Sequence, residues 1–253
     1  MRSVVRAVLT LTAAAVLYEL LARSGYFAPA LLPTIPAIVR TLIAMLANGT
    51  MIEHAAFTMY RVMLGFSLAI AVGIPLGILM ARFPRVENFF LPLISALMPI
   101  PSFALVPLFM LWFGLGNVSA VLLVGFVSAF PILFNSWTGV KAVKEIWVRS
   151  AQSMGADDRR MFSHVILPGA LPYILTGLRL GLAQAWRILV AVEMLAAVPW
   201  GLGWLIFGAR EFLNTDAMLA GIVVIALIGL GLEKFVFQKI EDYTVVRWGM
   251  ITS

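Results

Sequence analysis

Six long apolar stretches alternate with short polar ones along the chain, at about 4–23, 56–81, 88–113, 118–139, 170–197 and 217–236. Each approaches the roughly 20 residues that a helix needs to cross a hydrocarbon core about 30 Å thick. The pattern predicts an all-α integral membrane protein with six crossing helices. Between the first two stretches, "TIPAIVRTLIAMLANG" places Ile35, Ile38, Val39, Leu42, Ile43 and Leu46 at helical spacing. Thr34, Pro36 and Gly49 stand where a helix starts and stops. This short amphipathic helix either lies on the outer membrane surface or packs against the bundle. Breakers are frequent: Gly73 and Gly77 flank Pro75, Gly177 and Gly181 are again four apart, and Pro92, Pro99, Pro101, Pro107 and Pro131 interrupt the third and fourth stretches. Small residues let helices approach closely, and prolines free carbonyls that neighbours must satisfy. No two halves of the chain are nearly alike, so a simple duplicated transporter is not favoured.

Composition agrees. The chain is 62% hydrophobic and 12% charged, against roughly 45–50% and about 25% in soluble domains. Its net charge of +6 does not point to nucleic acid, because the basic residues sit at the ends of apolar runs. Twelve of the eighteen Lys and Arg (Arg2, Arg6, Arg82, Arg85, Lys141, Lys144, Arg149, Arg159, Arg160, Lys234, Lys239 and Arg247) fall on one side if the first helix starts in the cytoplasm. The positive-inside bias then places both termini in the cytoplasm. The first run carries Tyr18 and Glu19 and is followed by further spans, so it reads as a retained span and not a signal peptide. The absence of cysteine removes disulfides, thiolate metal sites and cysteine nucleophiles. His54 and His164 fall on opposite sides, which argues against a shared metal site. Asp157-Asp158 and Glu241-Asp242 read as helix-start and tail charges, not as an acid–base pair.

One compact segment breaks the apolar pattern. Of the fourteen residues from Ser150 to Ser163, eight are polar or charged. Lys141 to Met154 reads as a helix with Val143, Ile146, Trp147, Ser150, Ala151 and Met154 on one face. Gly155 supplies a left-handed end. Asp157 and Asp158 suit the positive end of a second short helix with Met161, Phe162, Val165 and Ile166 on its apolar side. Pro168 is expected to stop that helix before the chain re-enters the membrane. The result is a stiff cytoplasmic element joined directly to the fourth and fifth spans.

Ionisable residues inside a span are costly and usually face an interior or an aqueous path. Arg179, Trp186 and Glu193 are spaced by seven and share one helix face. Arg187 points about a quarter-turn away, beside Gln184 and Met194. These residues are the candidates for a translocation pathway, with Arg187 or Arg179 attracting an anion. The alternative places Arg179 near the cytoplasmic interface and makes Glu193 an anchor for neighbouring backbone. Arg61, at the start of the second span, reads as a helix-end anchor.

The polar segment has an order of residues that resembles a known family. A small pair, three residues, Gly, nine residues, an aliphatic, one residue and Leu-Pro is similar to the "EAA" loop of bacterial ABC importer permeases. Here it reads Arg149-Ser150-Ala151, Gly155-Ala156 and Val165-Ile166-Leu167-Pro168, with Arg149-Ser150 departing from the family's leading Glu-Ala. "YRVMLGFSLAIAVGIPLGILM" (60–80), "PIPSFALVPLFMLWFGLGN" (99–117) and the stretch from "LPGALPYILTGLRLGL" to "GLG" (167–203) look like the nitrate/sulfonate/taurine branch. The resemblance implies a six-helix type I importer permease fold. Residues 1–54 would hold the first span and the outer-surface helix. Residues 55–240 would form the permease core with its coupling loop at about 141–168, and 241–253 a cytoplasmic tail. It also implies partners: a second permease copy, two ATPase subunits that carry ATP and Mg, and a periplasmic binding protein. Ala151, Gly155, Ala156, Asp157, Phe162, Leu167 and Pro168 would form the surface that meets the ATPase. The chain has no GxxxxGK[ST] phosphate-binding loop, so it is expected to be a transport subunit without a cofactor of its own. The phrases "ILPGALPYILTGLRLGL" and "EFLNTDAMLAGI" look closest to the taurine/sulfonate side, and the basic span residues agree with an anion without requiring one. Nitrate, an aromatic carboxylate or a vitamin precursor is the alternative cargo. An ion-driven secondary transporter is the competing mechanism, and it would need midplane carboxylates. An intramembrane enzyme would need catalytic residues clustered at one depth.

Overall fold

The computed structural model describes residues 2–195 and 198–237. The expected tail at 241–253, and the basic residues Lys239 and Arg247, lie outside the described residues. All regular structure among the described residues is helical. α1 (Arg2–Arg23) is followed by α2 (Ile35–Ala47), and α3 (Thr50–Arg82) runs for 33 residues. α4 (Pro84–Leu97), a 3₁₀ turn (Ser102–Leu105) and α5 (Val106–Phe113) follow. Then come α6 (Asn117–Lys141), α7 (Glu145–Ser153) and α8 (Asp158–Met161). A wide π turn (Phe162–Ile166) leads into α9 (Leu167–Leu195), and α10 (Leu202–Glu211) and α11 (Thr215–Gly231) complete the bundle.

Among the described residues, four helices are long and apolar enough to cross a membrane: Thr50–Arg82, Asn117–Lys141, Asp158–Leu195 and Thr215–Lys234. The expected third span is not one continuous helix. Pro84–Leu97 and Ser102–Phe113 qualify together but are bent by 97°. The cause is local: in Met98-Pro-Ile-Pro, two prolines lack the amides that would continue the ladder, and each disfavours helix in the residue before it. α1, with 22 residues, is about 33 Å long at roughly 1.5 Å per residue, enough for one crossing. Its end is fastened to α2, where the Glu19 carboxylate accepts the Ile35 amide at 2.7 Å and the Tyr18 hydroxyl donates to the Pro33 carbonyl at 2.8 Å.

α6 is the centre of the bundle, held between α3 and α9. Glycines set this spacing. A Cβ on Gly77 of α3 would lie 2.5 Å from the Leu133 carbonyl oxygen, and one on Gly181 of α9 would lie 2.7 Å from Ile132. Both small-residue pairs noted in the sequence therefore face α6, and the three backbones approach more closely than any larger residue permits. α2 packs against α11 and α3, and its Thr41 hydroxyl reaches Asp216 at 2.5 Å. Ile38, Leu42 and Met45 face the core while Val39, Ile43 and Leu46 are exposed. Of the two placements open for this helix, the structure supports packing against the bundle.

Two local expectations are corrected. The polar helix begins at Glu145, because α6 continues through Lys141. Pro168 does not stop the helix after it. The chain passes through the π turn and on into α9, so that Asp158–Leu195 forms a 38-residue span. The wider turn accommodates the missing proline amide within a continuous helix.

The close approach at Gly77 yields a direct test. Gly77→Ala should cost about 1–3 kcal/mol and lower the thermal midpoint of the detergent-solubilised protein by several degrees. Gly208→Ala, where an added Cβ meets nothing within 4 Å, should leave it unchanged or slightly raised. Equal behaviour of the two variants would contradict the packing.

Candidate functional site

At the end of the bundle remote from α7, polar side chains converge from three helices onto the start of a fourth. His54, Thr58 and Arg61 stand at i, i+4 and i+7 of α3, on one face. All three are buried, with Arg61 only 1% exposed. Glu193, near the end of α9, is fully buried opposite them. Arg61 Nη1 donates to Glu193 Oε1 at 2.6 Å, and Arg61 Nε donates to Asn117 Oδ1, at the start of α6, at 2.7 Å. The same guanidinium donates to the carbonyls of Pro199 and Trp200 at 2.8 and 2.5 Å.

The far side of this cluster caps α10. His54 Nδ1 lies 2.9 Å from the Gly201 amide, Thr58 Oγ1 accepts the Leu202 amide at 2.8 Å, and Glu193 Oε2 accepts the Gly203 amide at 3.0 Å. A helix start leaves its first amides without partners, and here side chains from α3 and α9 fill that role. The carboxylate also suits the positive end of the helix dipole. Gly201 is required twice over. Its φ is +137°, and a Cβ would lie 2.4 Å from the Glu193 carboxyl. Trp200, at φ +62°, packs on Phe57 and His54. This corrects the reading of Arg61 as a helix-end anchor at the interface. It also places Glu193 within the buried cluster, away from either cleft described below, in the backbone-anchoring alternative.

At the opposite end, α7, α8 and the π turn form the polar loop. Gly155 ends α7 with φ +79°, a conformation that is costly for other residues. Its amide bonds to the Gln152 carbonyl at 2.9 Å, and the Ala156 amide to the Ala151 carbonyl at 3.0 Å. Asp157 caps α8, its Oδ1 accepting the Arg160 amide at 2.7 Å. Gly155, Asp157 and Leu167 are exposed, while Ala151, Ala156, Phe162 and Pro168 are half-buried. Ile146, Trp147 and Met154 are exposed beside them, Met154 by 87%. The loop thus carries an apolar patch in a charged setting, a feature that marks interaction surfaces. Met161 is buried, and Arg82 reaches Asp158 at 3.7 Å, so the loop is tied to α3 as well as fused to α9.

Between the two ends, a cleft of about 290 Å³ is bounded by the α4–α5 bend, α6 and α9. Gln184 and Arg187 line it together with Ser102 from the bend, and Gln184 Nε2 donates to Ser102 Oγ at 2.8 Å. A smaller cleft of about 200 Å³ lies on the other side of Arg187, lined by Arg179, Trp186 and Glu233. Arg179 Nε donates to Glu233 Oε1 at 2.7 Å. Trp186 is largely buried against the bundle, with Gly229 beside its indole nitrogen. Of the five span residues singled out in the sequence, four line these two clefts and Glu193 lines neither. Among the described residues, no group of three His, Cys, Asp or Glu could hold a metal ion.

Sequence reasoning missed Thr58, Asn117 and Ser102 and undervalued His54 and Arg61. Three polar positions in the first half of α3 carried a signal: a His, a Thr and an Arg on one face of an apolar helix need buried partners. The partners come from as far as 147 residues away, so spacing alone could not supply them.

Removing one member of the buried pair should be worse than removing both. Glu193→Gln strands the Arg61 guanidinium and should cost about 3–5 kcal/mol. The double variant Arg61→Met/Glu193→Met should lose clearly less than the sum of the two single losses. Thermal unfolding of the four proteins in one detergent measures this cycle, and simple additivity would contradict the pairing.

The sequence profile of the binding-protein-dependent transport system inner membrane component matches residues 73–236. The chain is 44% identical over 186 residues to the taurine transport system permease protein of Escherichia coli, covering 74% of this chain and 67% of that protein. It is 33% identical over 232 residues to a putative aliphatic sulfonates transport permease protein of Bacillus subtilis, covering 92% and 83%. Among solved structures, an inward-facing MetNI methionine ABC transporter matches with a TM-score of 0.61 at 18% identity, over 79% of this chain and 96% of that one. The last likeness concerns the fold alone and agrees with the expected type I importer architecture. Helical architecture, apolar spans and sequence relatives agree: the chain belongs to the binding-protein-dependent transport system inner membrane components, the permease subunits of ABC importers.

Proposed function

We propose that this permease carries a small sulfonate, taurine or an alkanesulfonate, through the inner membrane. The single observation that carries the substrate class is the 44% identity to a taurine permease over 74% of the chain. The donor-lined cleft at Gln184 and Arg187 accords with an anionic cargo. In this reading two copies of the chain form the pathway, and a periplasmic binding protein delivers substrate to the end that holds the Arg61–Glu193 cluster. Two ATPase subunits, which bind ATP and Mg, meet the polar loop at the other end, and the termini face the cytoplasm. No other mechanism is favoured by a specific observation. An ion-coupled transporter would need carboxylates lining its path. Glu193 is instead saturated by Arg61, Thr58 and Gly203, and Glu233 in the smaller cleft is paired with Arg179.

The loop's geometry suits a lever. Its exposed face presents Ile146, Trp147 and Met154. Its inner side is continuous with α9 through the π turn, and Trp147 and Val143 lie against Gly169 at the start of that helix. A partner that moves this loop moves α9 with it. The functional consequence is tested by ATP hydrolysis in proteoliposomes holding the permease and its ATPase. Taurine-loaded binding protein should raise hydrolysis several-fold. Gly155→Asp, forced toward φ +79°, should abolish the rise while the subunits still co-purify. A full response from Gly155→Asp would contradict a coupling role for the loop.

Orientation is tested independently. The chain has no cysteine, so single replacements report without background. In intact cells an impermeant maleimide should label Asn214→Cys, near α10, and should label Ser150→Cys only after lysis. The reverse pattern would overturn the assigned topology.

A further inference from the structure

Arg187 lies well inside α9, yet its one described hydrogen bond runs from Nε to the Ala183 carbonyl of its own helix at 3.0 Å. Among the described residues no salt bridge involves it, whereas Arg23, Arg61, Arg82, Lys141, Arg149 and Arg179 each have a carboxylate partner. A guanidinium within a span without a counter-charge is expensive unless something else neutralises it. The larger cleft beside it has apolar walls from the α4–α5 bend, α6 and α9, with Ser102, Gln184 and Arg187 as its polar members and no carboxylate.

The donors in this cleft are arranged for an acceptor. Ser102 Oγ already accepts from Gln184 Nε2 at 2.8 Å, so its hydroxyl proton is left to donate. Gln184 keeps a second amide proton, and Arg187 keeps four of its five N–H groups. Ser102 sits where the third span is broken, at the 97° bend. Irregular backbone at membrane depth is tolerated where it lines a cavity.

We infer that Arg187, Gln184 and Ser102 form an anion subsite that recognises the sulfonate group of the cargo and not its amine. This rests on the sulfonate reading of the permease. A sulfonate offers three oxygens and one permanent negative charge, which matches three donor side chains, one of them cationic. A carboxylate offers two oxygens. The remaining walls are apolar and suit an alkyl stem, and no acidic side chain stands in the cleft to hold an ammonium. Ethanesulfonate should therefore occupy the subsite as well as taurine does, although a binding protein can still discriminate between them upstream. The occupant neutralises Arg187 while it passes, and the cleft, open to its surroundings, releases it.

The test uses purified permease–ATPase complex in nanodiscs, at constant ionic strength and without the binding protein. The thermal midpoint is measured with 10 mM taurine, ethanesulfonate, β-alanine or sodium sulfate against sodium chloride. Taurine and ethanesulfonate should raise it by equal amounts, and β-alanine by less than half as much. A response to sulfate alone would assign the site to inorganic anions and overturn the proposal, as would equal responses to β-alanine and taurine. Arg187→Gln should abolish the sulfonate shift and Arg187→Lys should keep part of it. If Arg187→Gln does not assemble, Ser102→Ala should reduce the shift at least twofold. In proteoliposomes, uptake driven by taurine-loaded binding protein should fall at least tenfold in Arg187→Gln and recover to within threefold of wild type in Arg187→Lys. A sulfonate shift that survives Arg187→Gln removes the subsite while leaving the importer reading intact. Failure of loaded binding protein to stimulate the wild-type complex removes the importer reading, and the ligand shifts still score the subsite on their own.

Discussion

A guanidinium and a carboxylate buried at membrane depth can exist there only together. Arg61 and Glu193, 1% and 0% exposed, meet at 2.6 Å, and the polar contacts around them are built on that pair. Desolvating either charge alone would cost several kcal/mol. Once paired, they still have hydrogen-bonding capacity to spare, and the surrounding backbone uses it. Arg61 takes two carbonyls of the chain before α10, Glu193 takes an amide inside it, and Thr58 and His54 complete the cap. One ion pair thereby joins α3, α6, α9 and α10. It also explains Gly201, because a side chain there would occupy the carboxyl itself.

α9 links this fixed end to the polar loop at the other. It leaves the loop through a π turn, crosses beside α6 on Gly177 and Gly181, and carries Glu193 near its end. Between these points it presents Gln184 and Arg187 to the cleft beneath the broken third span. In the proposed importer, the helix that carries the anion-facing groups is thus held at its outer end and driven at its inner end. Such an arrangement would turn a displacement of the loop into a movement of the groups between them.

The spans and the loop were legible because they rest on local physics: apolar runs of sufficient length, Gly155 at a positive φ, and Asp157 at a helix start. The bend in the third span was signalled by Pro99 and Pro101, but prolines also occur in continuous membrane helices, as Pro75 of α3 and Pro131 of α6 do here. Only packing distinguishes the two cases. Pro168 illustrates the reverse, where a proline expected to stop a helix is absorbed by a π turn. The cluster around Arg61 was largely hidden. Its partners come from four helices, and no spacing rule connects position 61 with 193 or with the carbonyls of 199 and 200. The clefts were half visible: Arg187 and Gln184 stood out as polar residues within a span, but Ser102 acquires its place only through the bend.

The central claim is that ATP, spent by a partner and triggered by a loaded binding protein, moves a sulfonate through this chain. Uptake of radiolabelled taurine into proteoliposomes tests it most directly, with the permease and its ATPase in the membrane, ATP on the loop side and the binding protein on the other. The account predicts concentrative uptake that requires both ATP and the binding protein and persists when proton and sodium gradients are collapsed. Uptake that proceeds without ATP and vanishes with those gradients would contradict it.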